Sequence, residues 1–586
     1  MALKPTLKTL GKAVLGIGLV ASMVLPFNQT ASPVAHAAYG GPLVISDLTT
    51  GTWVRNFNPF MLQALNRPAR GGIYEPLYLT EIRDNNKQYP MLATGYSWSK
   101  DLKSLTFTIR QGVKWSDGTP FSADDVLFTA DLGQTCPLAN NLGWWDTKDA
   151  TGKVTTPGTL ASVTESADKT TVTFTYKTVD TTVFVPNFNS FFVVDKAVWS
   201  AHTSDCGTWA NPNPVGTGPY TQVVSYTGQA YVLGKNPNYW MPGEPKVAEI
   251  EYLNHTGNDA AVLDFISGKI DWTGNNLGIN AVNTGSRHFQ YNAPNAPVQL
   301  VFQNKYPYNI PAFRQAVSMA LDRATIVGTA EAGFGFQPAD ALGLGSQWPT
   351  WIDPSVAAQD KTLSTYNVKA AQALLTKAGF KFDTNKGLLD PKGNPVDFDI
   401  YTVQGWSDWY TAVELVASEL GVLGINAGVH QFQFGTWYAD LLSGDFDATI
   451  FWQMNVDSPI SLYGQFMTAT DYYPIGTQIA NGNDLGRYQS AAADAAIKAA
   501  RATSDLATQK AKMAAVEQIW LNDLPTIPLW YAGLWENYNT QHFTGFPTAG
   551  SCGTKMVPNV SNCYYASGQP GDTPDIELVL LNVKPV

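Results

Sequence analysis

Cysteine and histidine are scarce: four of the first and six of the second occur in 586 residues. The cysteines form no Cys-x-x-Cys pair, and His202, His255, His288, His430 and His542 stand singly, so no zinc or thiol-redox centre is written in the chain and no cofactor is called for. Charge is short as well. Charged residues make up 15%, and 37 Lys and Arg against 48 Asp and Glu leave a formal charge of -11, which argues against a nucleic-acid partner. There is no Gly-x-Ser-x-Gly, no His-Glu-x-x-His and no Gly-rich phosphate loop with lysine. The enzymatic reading left by the residues alone is a secreted glycoside hydrolase working with two carboxylates. No internal repeat is visible, and the one long apolar run, Ala13–Phe27, is shorter than the about 20 residues a membrane span needs.

That run follows Lys4, Lys8 and Lys12 and precedes Ala35-His36-Ala37, a small-x-small cleavage site, so residues 1–37 read as a secretory signal peptide. Export would remove three lysines and no acid, leaving the mature chain more acidic still. No cysteine follows the apolar run to carry a lipid anchor, so the expected location is the periplasm or the outer face of the cell membrane. An even cysteine count in an oxidising compartment favours two disulfides. Three pairings are open. The one adopted joins Cys552 to Cys563 across a short loop containing Gly, Asn and Pro, and leaves Cys136 for Cys206.

What the chain does have is aromatic surface: 12% of its residues are aromatic, with 18 tryptophans. Such an excess fits either a large core or the walls of a ligand cleft. Roughly 550 residues remain after the signal peptide, more than one domain usually holds, so at least two lobes are expected. The C-terminal half alternates helix and strand. Asn367 is placed to cap a helix whose apolar face is Ala370, Ala371, Leu374, Leu375 and Ala378, with Gly379 ending it. Trp409, Ala412, Val413, Val416 and Leu420 form another helical stripe that stops at Gly424, and Ile425–Phe432 reads as a strand. A helix over Trp437–Leu442, broken by Gly444, precedes a strand over Phe446–Trp452. Repeated alternation of this kind predicts an α/β sheet covered by helices.

Leu92–Leu132, LATGYSWSKDLKSLTFTIRQGVKWSDGTPFSADDVLFTADL, carries the most specific pattern. Leu105, Phe107 and Ile109 alternate with Thr106, Thr108 and Arg110 as in a half-buried strand; Gly112 and Asp117-Gly118 supply turns; Ser122 and Asp125 have the spacing of a capping box. In this order the elements resemble the signature region of the family 5 solute-binding proteins, the oligopeptide-binding class that serves ABC importers. IYEPLY at Ile73–Tyr78, VGTGPYTQVVSYTGQAYVLGKNPNYW at Val215–Trp240, FRQAVSMALDRATIV at Phe313–Val327 and PTIPLWYAGLWENYN at Pro525–Asn539 continue the resemblance along the mature chain. It implies a two-lobed periplasmic-binding-protein-like (type II) α/β fold with an extra subdomain in the N-terminal lobe. On that template the first lobe takes residues 38–81, 196–300 and 541–586, the extra subdomain 82–195, and the second lobe 301–540.

The implied function is capture of a solute between closing lobes, as a monomer that delivers it to the membrane permease of an ABC importer without catalysis. Peptide-binding relatives carry a tryptophan followed three positions later by an aspartate that pairs with the peptide ammonium; here WQMNVDSP places Trp452 and then Asn455, with Asp457 as the nearest substitute. An amide suits neutral hydroxyls better than a buried ammonium. GWSDW at 405–409 and PIGTQIANGNDLGRYQS at 474–490 further resemble the branch that includes cello-oligosaccharide binders. A β-linked oligosaccharide is therefore the expected ligand, with a peptide as the alternative. Expected contacts are Trp452, Asn455, Asp457, Glu75 in the YEP segment, Trp406 at a helix start, Trp272 and Asn275 at a strand end, and at least one of Trp144 and Trp145. Trp409, Trp437 and Trp520 fall on helical stripes and are assigned to the core.

Overall fold

The computed structural model describes residues 39–586 apart from 48–51, 62–65, 82–85, 150, 283–286, 291–292, 332–333, 335, 346, 453–456, 470–471, 480–481, 536 and 547–575. The expected signal peptide, Cys552, Cys563 and Asn455 lie outside the described residues. Among the described residues no helix is long and apolar enough to cross a membrane.

Two large sheets organise the chain. The first has seven strands in the order Tyr220–Tyr226, Ala230–Lys235, Glu249–Asn254, Leu43–Asp47, Trp272–Thr273, Asn537–Asn539 and His288–Gln290. Its centre is parallel, Leu43–Asp47 running alongside both Glu249–Asn254 and Trp272–Thr273. The second has six strands, Gln337–Pro338, Thr526–Leu534, Ala293–Phe302, Ala448–Trp452, Asp397–Val403 and Asn426–Phe432, the last three mutually parallel. Helices fill the connections between parallel strands, as such connections require. The helix Ser407–Leu420 buries Trp409, Ala412, Val413, Val416 and Leu420, the stripe legible in the sequence, and the helix Val368–Lys377 is capped by the Asn367 side chain, which accepts from Ala370 N.

The same two segments link the sheets. His288–Gln290 pairs with Asn537–Asn539 in the first sheet, and Ala293–Phe302 pairs with Thr526–Leu534 in the second. The chain therefore crosses before Ala293 and after Leu534, within ten residues of the expected boundaries at residues 300 and 540.

A third sheet of four strands, Ala93–Trp98, Ser104–Ile109, Thr171–Tyr176 and Leu160–Glu165, forms the subdomain. Leu105, Phe107 and Ile109 point into its core, while Ser104 and Thr106 pair by hydroxyls with Thr175 and Thr173 across the strands at 3.2 and 2.9 Å. The helix Ala123–Leu132 opens with the capping box, Ser122 N donating to Asp125 Oδ2 at 2.9 Å. Cys136, just beyond this helix, is bridged to Cys206 with Cα atoms 6.2 Å apart, tying the subdomain to the first lobe. FRQAVSMALDR is also scaffold. Buried Arg314 donates to Tyr308 O, Asp523 O and Leu524 O, and buried Arg323 to Ser318 O and Pro528 O, so backbone carbonyls keep both guanidiniums hydrogen-bonded, with the charge of Asp523 acting on the first and those of Asp340, Asp360 and Glu419 on the second.

Candidate functional site

Ligands of open parallel sheets bind outside the carboxyl ends of the strands. In the second sheet those ends are Val403, Phe432 and Trp452, and they carry an aromatic wall. Trp406, the residue before the helix Ser407–Leu420, lies 5.7 Å from Trp452 between ring centroids, and Trp409 and Trp437 lie 5.4 and 6.1 Å from Trp452. Phe434 adds an edge at 5.8 Å from Trp406. Trp409 and Trp437 are packed beneath, Trp452 is half-buried, and Trp406 is 8% exposed with an indole N–H that has no hydrogen-bond partner among the described residues. A flat apolar face beside an unsatisfied donor can take a ring that carries hydroxyls.

In the first sheet the corresponding ends are Asp47, Asn254 and Thr273, and the segment after Asn254 meets the second lobe directly. Asn258 N donates to Gly405 O at 3.2 Å, and Asn258 Nδ2 donates to Asp408 Oδ1 at 3.1 Å. Gly257 and Gly405 touch backbone to backbone: a Cβ at Gly257 would stand 2.8 Å from Gly405 O. The subdomain reaches the second lobe separately, Thr181 N donating to Arg501 O at 2.8 Å and Thr181 Oγ1 to Thr503 O at 2.9 Å. A cavity of about 230 Å³ lies beside the first contact, lined by Asn276, Leu277, Ala330, Phe334, Asp408 and Thr411, with none of the tryptophans in its wall.

The sequence pattern of the bacterial extracellular solute-binding proteins, family 5, middle region, matches residues 87–474. The chain belongs to this family. Its relatives include the periplasmic oligopeptide-binding protein OppA of Salmonella typhimurium, 22% identical over 552 residues that cover 89% of this chain and 93% of that one. Among solved structures, a mannohexaose-bound periplasmic oligopeptide-binding protein of Thermotoga maritima superposes with a TM-score of 0.81 at 25% identity, covering 94% of this chain and 99% of its own. The Bacillus subtilis oligopeptide-binding protein AppA, complexed with a nonapeptide, superposes at 0.73 with 20% identity, over 93% and 99%. Family 5 proteins are the substrate-binding components of ABC importers, and the two-lobed α/β architecture is theirs.

Within this family 5 chain the expected contacts separate into two groups. Trp406 and Trp452 come together in the wall, and Asp457 lies five positions after Trp452 in sequence. The Asp457 carboxyl is turned towards its own helix, accepting from Ser461 Oγ at 2.5 Å and Ser458 Oγ at 3.2 Å; burial raises its pKa while the Arg501 charge opposes the rise.

The others sit elsewhere. Trp144 is packed on Phe174 and Phe191 at 5.2 and 4.9 Å in the subdomain core, and half-buried Trp145 donates its indole N–H to Ala130 O at 2.6 Å. Their polar loop suggested a cleft surface, but the loop folds back and the Trp144 ring is used for packing. Trp272 is fully buried beside Tyr538 in the first sheet, a core residue where a strand-end contact was expected. Asn275 is also buried: its Oδ1 accepts from Thr273 Oγ1 at 2.8 Å and Ser46 Oγ at 3.2 Å, and its Nδ2 donates to Asn258 Oδ1 at 3.3 Å. It shapes the loop that holds Asn258. Glu75, fully buried, accepts from Trp240 Nε1 at 2.8 Å and faces Glu577, so it is an interior group of the first lobe.

Two carboxyls at the lobe contact were missed from the sequence. Asp408, in the first turn of Ser407–Leu420, has its pKa raised by burial against hydrogen bonds from the Trp409 and Asp408 backbone N–H groups and from Asn276 and Asn258 that lower it. Glu331, ending the helix Arg323–Ala330 and 3% exposed, is pushed well above the carboxylate range by burial, with the Asp408 charge adding to the push. Asp408 stood in view in GWSDW, flanked by the tryptophans that drew attention.

Proposed function

We propose that the chain captures a β-linked oligosaccharide between its two lobes, outside the cytoplasm, and delivers it to the permease of an ABC importer. The observation that carries this reading is the pair Trp406 and Trp452 at the carboxyl ends of the second sheet's parallel strands, with the unsatisfied Trp406 indole N–H between apolar faces. Sugar rings stack on such faces. The described part of the wall offers an ammonium no free carboxylate, since Asp457 is engaged by two serine hydroxyls. The mannohexaose held by the Thermotoga maritima neighbour supports a saccharide, and the nonapeptide held by AppA supports the alternative. Catalysis has no part in this reading, because solute capture needs only contacts that form when the lobes meet.

The thermal midpoint of the chain from Ala38 onward, titrated with β-linked glucose and mannose oligomers and separately with short peptides, tests it. Ligand at about a thousand times its dissociation constant adds roughly 4 kcal/mol. The saccharides should raise the midpoint, and Trp452→Ala should weaken their binding by about tenfold to a hundredfold, the loss of one buried aromatic contact. A rise with peptides alone would overturn the saccharide reading and assign the ammonium to Asp457.

A further inference from the structure

We propose that closure of the lobes is coupled to protonation of Asp408, so that acid favours the closed, solute-holding form. The proposal rests on the two-lobed solute-binding reading but not on the class of solute. Asp408 belongs to the second lobe, and the side chains that cover it, Asn258 and Asn276, belong to the first. Asn258 is held in place: its Oδ1 accepts from Asn275 Nδ2 and from Asn276 N at 3.3 and 3.1 Å, which leaves Nδ2 to donate to Asp408 Oδ1. Separating the lobes removes these two donors and returns the carboxyl to water, while the Trp409 and Asp408 backbone bonds at the helix start belong to the second lobe in either arrangement. Bringing them together dries it.

No positive charge compensates in the closed arrangement. From the second lobe Asp408 meets Glu331 at the end of Arg323–Ala330; from the first lobe Asp259, in the opening turn of Asn258–Ile266, lines the same cavity. Among the described residues no Lys, Arg or His forms a salt bridge with either buried carboxyl, and none is among the main influences on them. A dry carboxylate beside a second acid is unfavourable, and a proton on Oδ2 relieves it while Oδ1 keeps the Asn258 bond. Closure therefore takes up a proton, and by reciprocity a proton promotes closure.

Gly257 marks the contact independently. Its φ of 163° is extended backbone open to any residue, yet a Cβ there would stand 2.8 Å from Gly405 O and 3.0 Å from Gly405 Cα. Glycine is needed at this position by the contact with Gly405, not by its own backbone conformation.

Small-angle scattering of the solute-free protein at pH 5 and pH 8 is the test. The wild type should be more compact at pH 5; Asp408→Asn, which keeps the acceptor without the charge, should be compact at both; Gly257→Ala should stay extended at both. A wild type with the same radius of gyration at the two values, or an Asp408→Asn variant that responds to pH as the wild type does, overturns the proposal. With a solute that raises the melting midpoint, the wild-type affinity should weaken by up to about tenfold per pH unit above the ordinary carboxylate range, and the Asp408→Asn affinity should hold constant. Scattering needs no solute, so it stands even where no saccharide binds, and the melting titration alone decides the saccharide reading.

Discussion

Reducing the Cys136–Cys206 bridge, or replacing both cysteines with serine, is expected to destabilise the protein by about 4 kcal/mol. The two cysteines are 70 residues apart in sequence, and a cross-link closing a loop of that length removes chain entropy worth about 4 kcal/mol from the unfolded state. Both are buried, so neither thiol gains water on reduction, and the bridge joins the end of the helix Ala123–Leu132 to the first lobe. The loss should concentrate in the subdomain, whose own core of Phe107, Phe174, Phe188 and Trp144 remains intact. Guanidinium unfolding followed by tryptophan fluorescence checks it: the reduced protein should show a lower midpoint, with the subdomain unfolding at lower denaturant than the second lobe. An unchanged midpoint after verified reduction would show that the subdomain is held by packing alone.

Elements set by neighbours a few residues away were legible in the sequence. The strand Ser104–Ile109, the Ser122–Asp125 capping box, the Asn367 cap and the stripe of Ser407–Leu420 each depend on spacing within one element, and each forms as spacing predicts. Trp437 and Trp520, placed on helical stripes, are buried for the same reason. Residues whose surroundings come from distant segments were not legible. Trp272 stands beside a polar loop and so suggested a surface, but it opens the strand Trp272–Thr273 and Tyr538 covers it from the other end of the chain. Glu75 faces a carboxyl on a helix near the C-terminus. The wall itself shows the division within one motif: Trp409 follows the helical period into the core, while Trp406 precedes the helix and is free of that period, so its place beside Trp452 comes from the sheet between them.

The second large effect is expected from pH acting on Glu75 and Glu577. Both are fully buried, and Tyr239 Oη stands 3.3 Å from one and 3.2 Å from the other. One hydroxyl proton serves one acceptor, so the other contact needs a proton on a carboxyl. Burial pushes Glu577 well above the carboxylate range, with the Glu75 charge adding to the push; Glu75 is raised by burial too, against hydrogen bonds from Glu577, Thr217, Trp240 and Tyr239, and its charge acts on Arg110. The folded pair thus holds a proton that the unfolded chain releases. The stability this contributes is fully present below the ordinary glutamate range and falls as pH rises towards the folded value, by about 1.4 kcal/mol per pH unit for one proton. Asp125, Asp271 and Asp360, each raised to about 6, and Glu517, raised to about 7, slope the same way at lower pH. The difference between wild type and Glu577→Gln isolates the pair, because the amide keeps a donor towards Glu75 at every pH. Between pH 7 and pH 9 the wild type should lose up to about 3 kcal/mol more than Glu577→Gln, read from denaturant midpoints. Parallel losses in the two proteins would mean that Arg110 neutralises the pair and that both carboxyls are ionised in the fold.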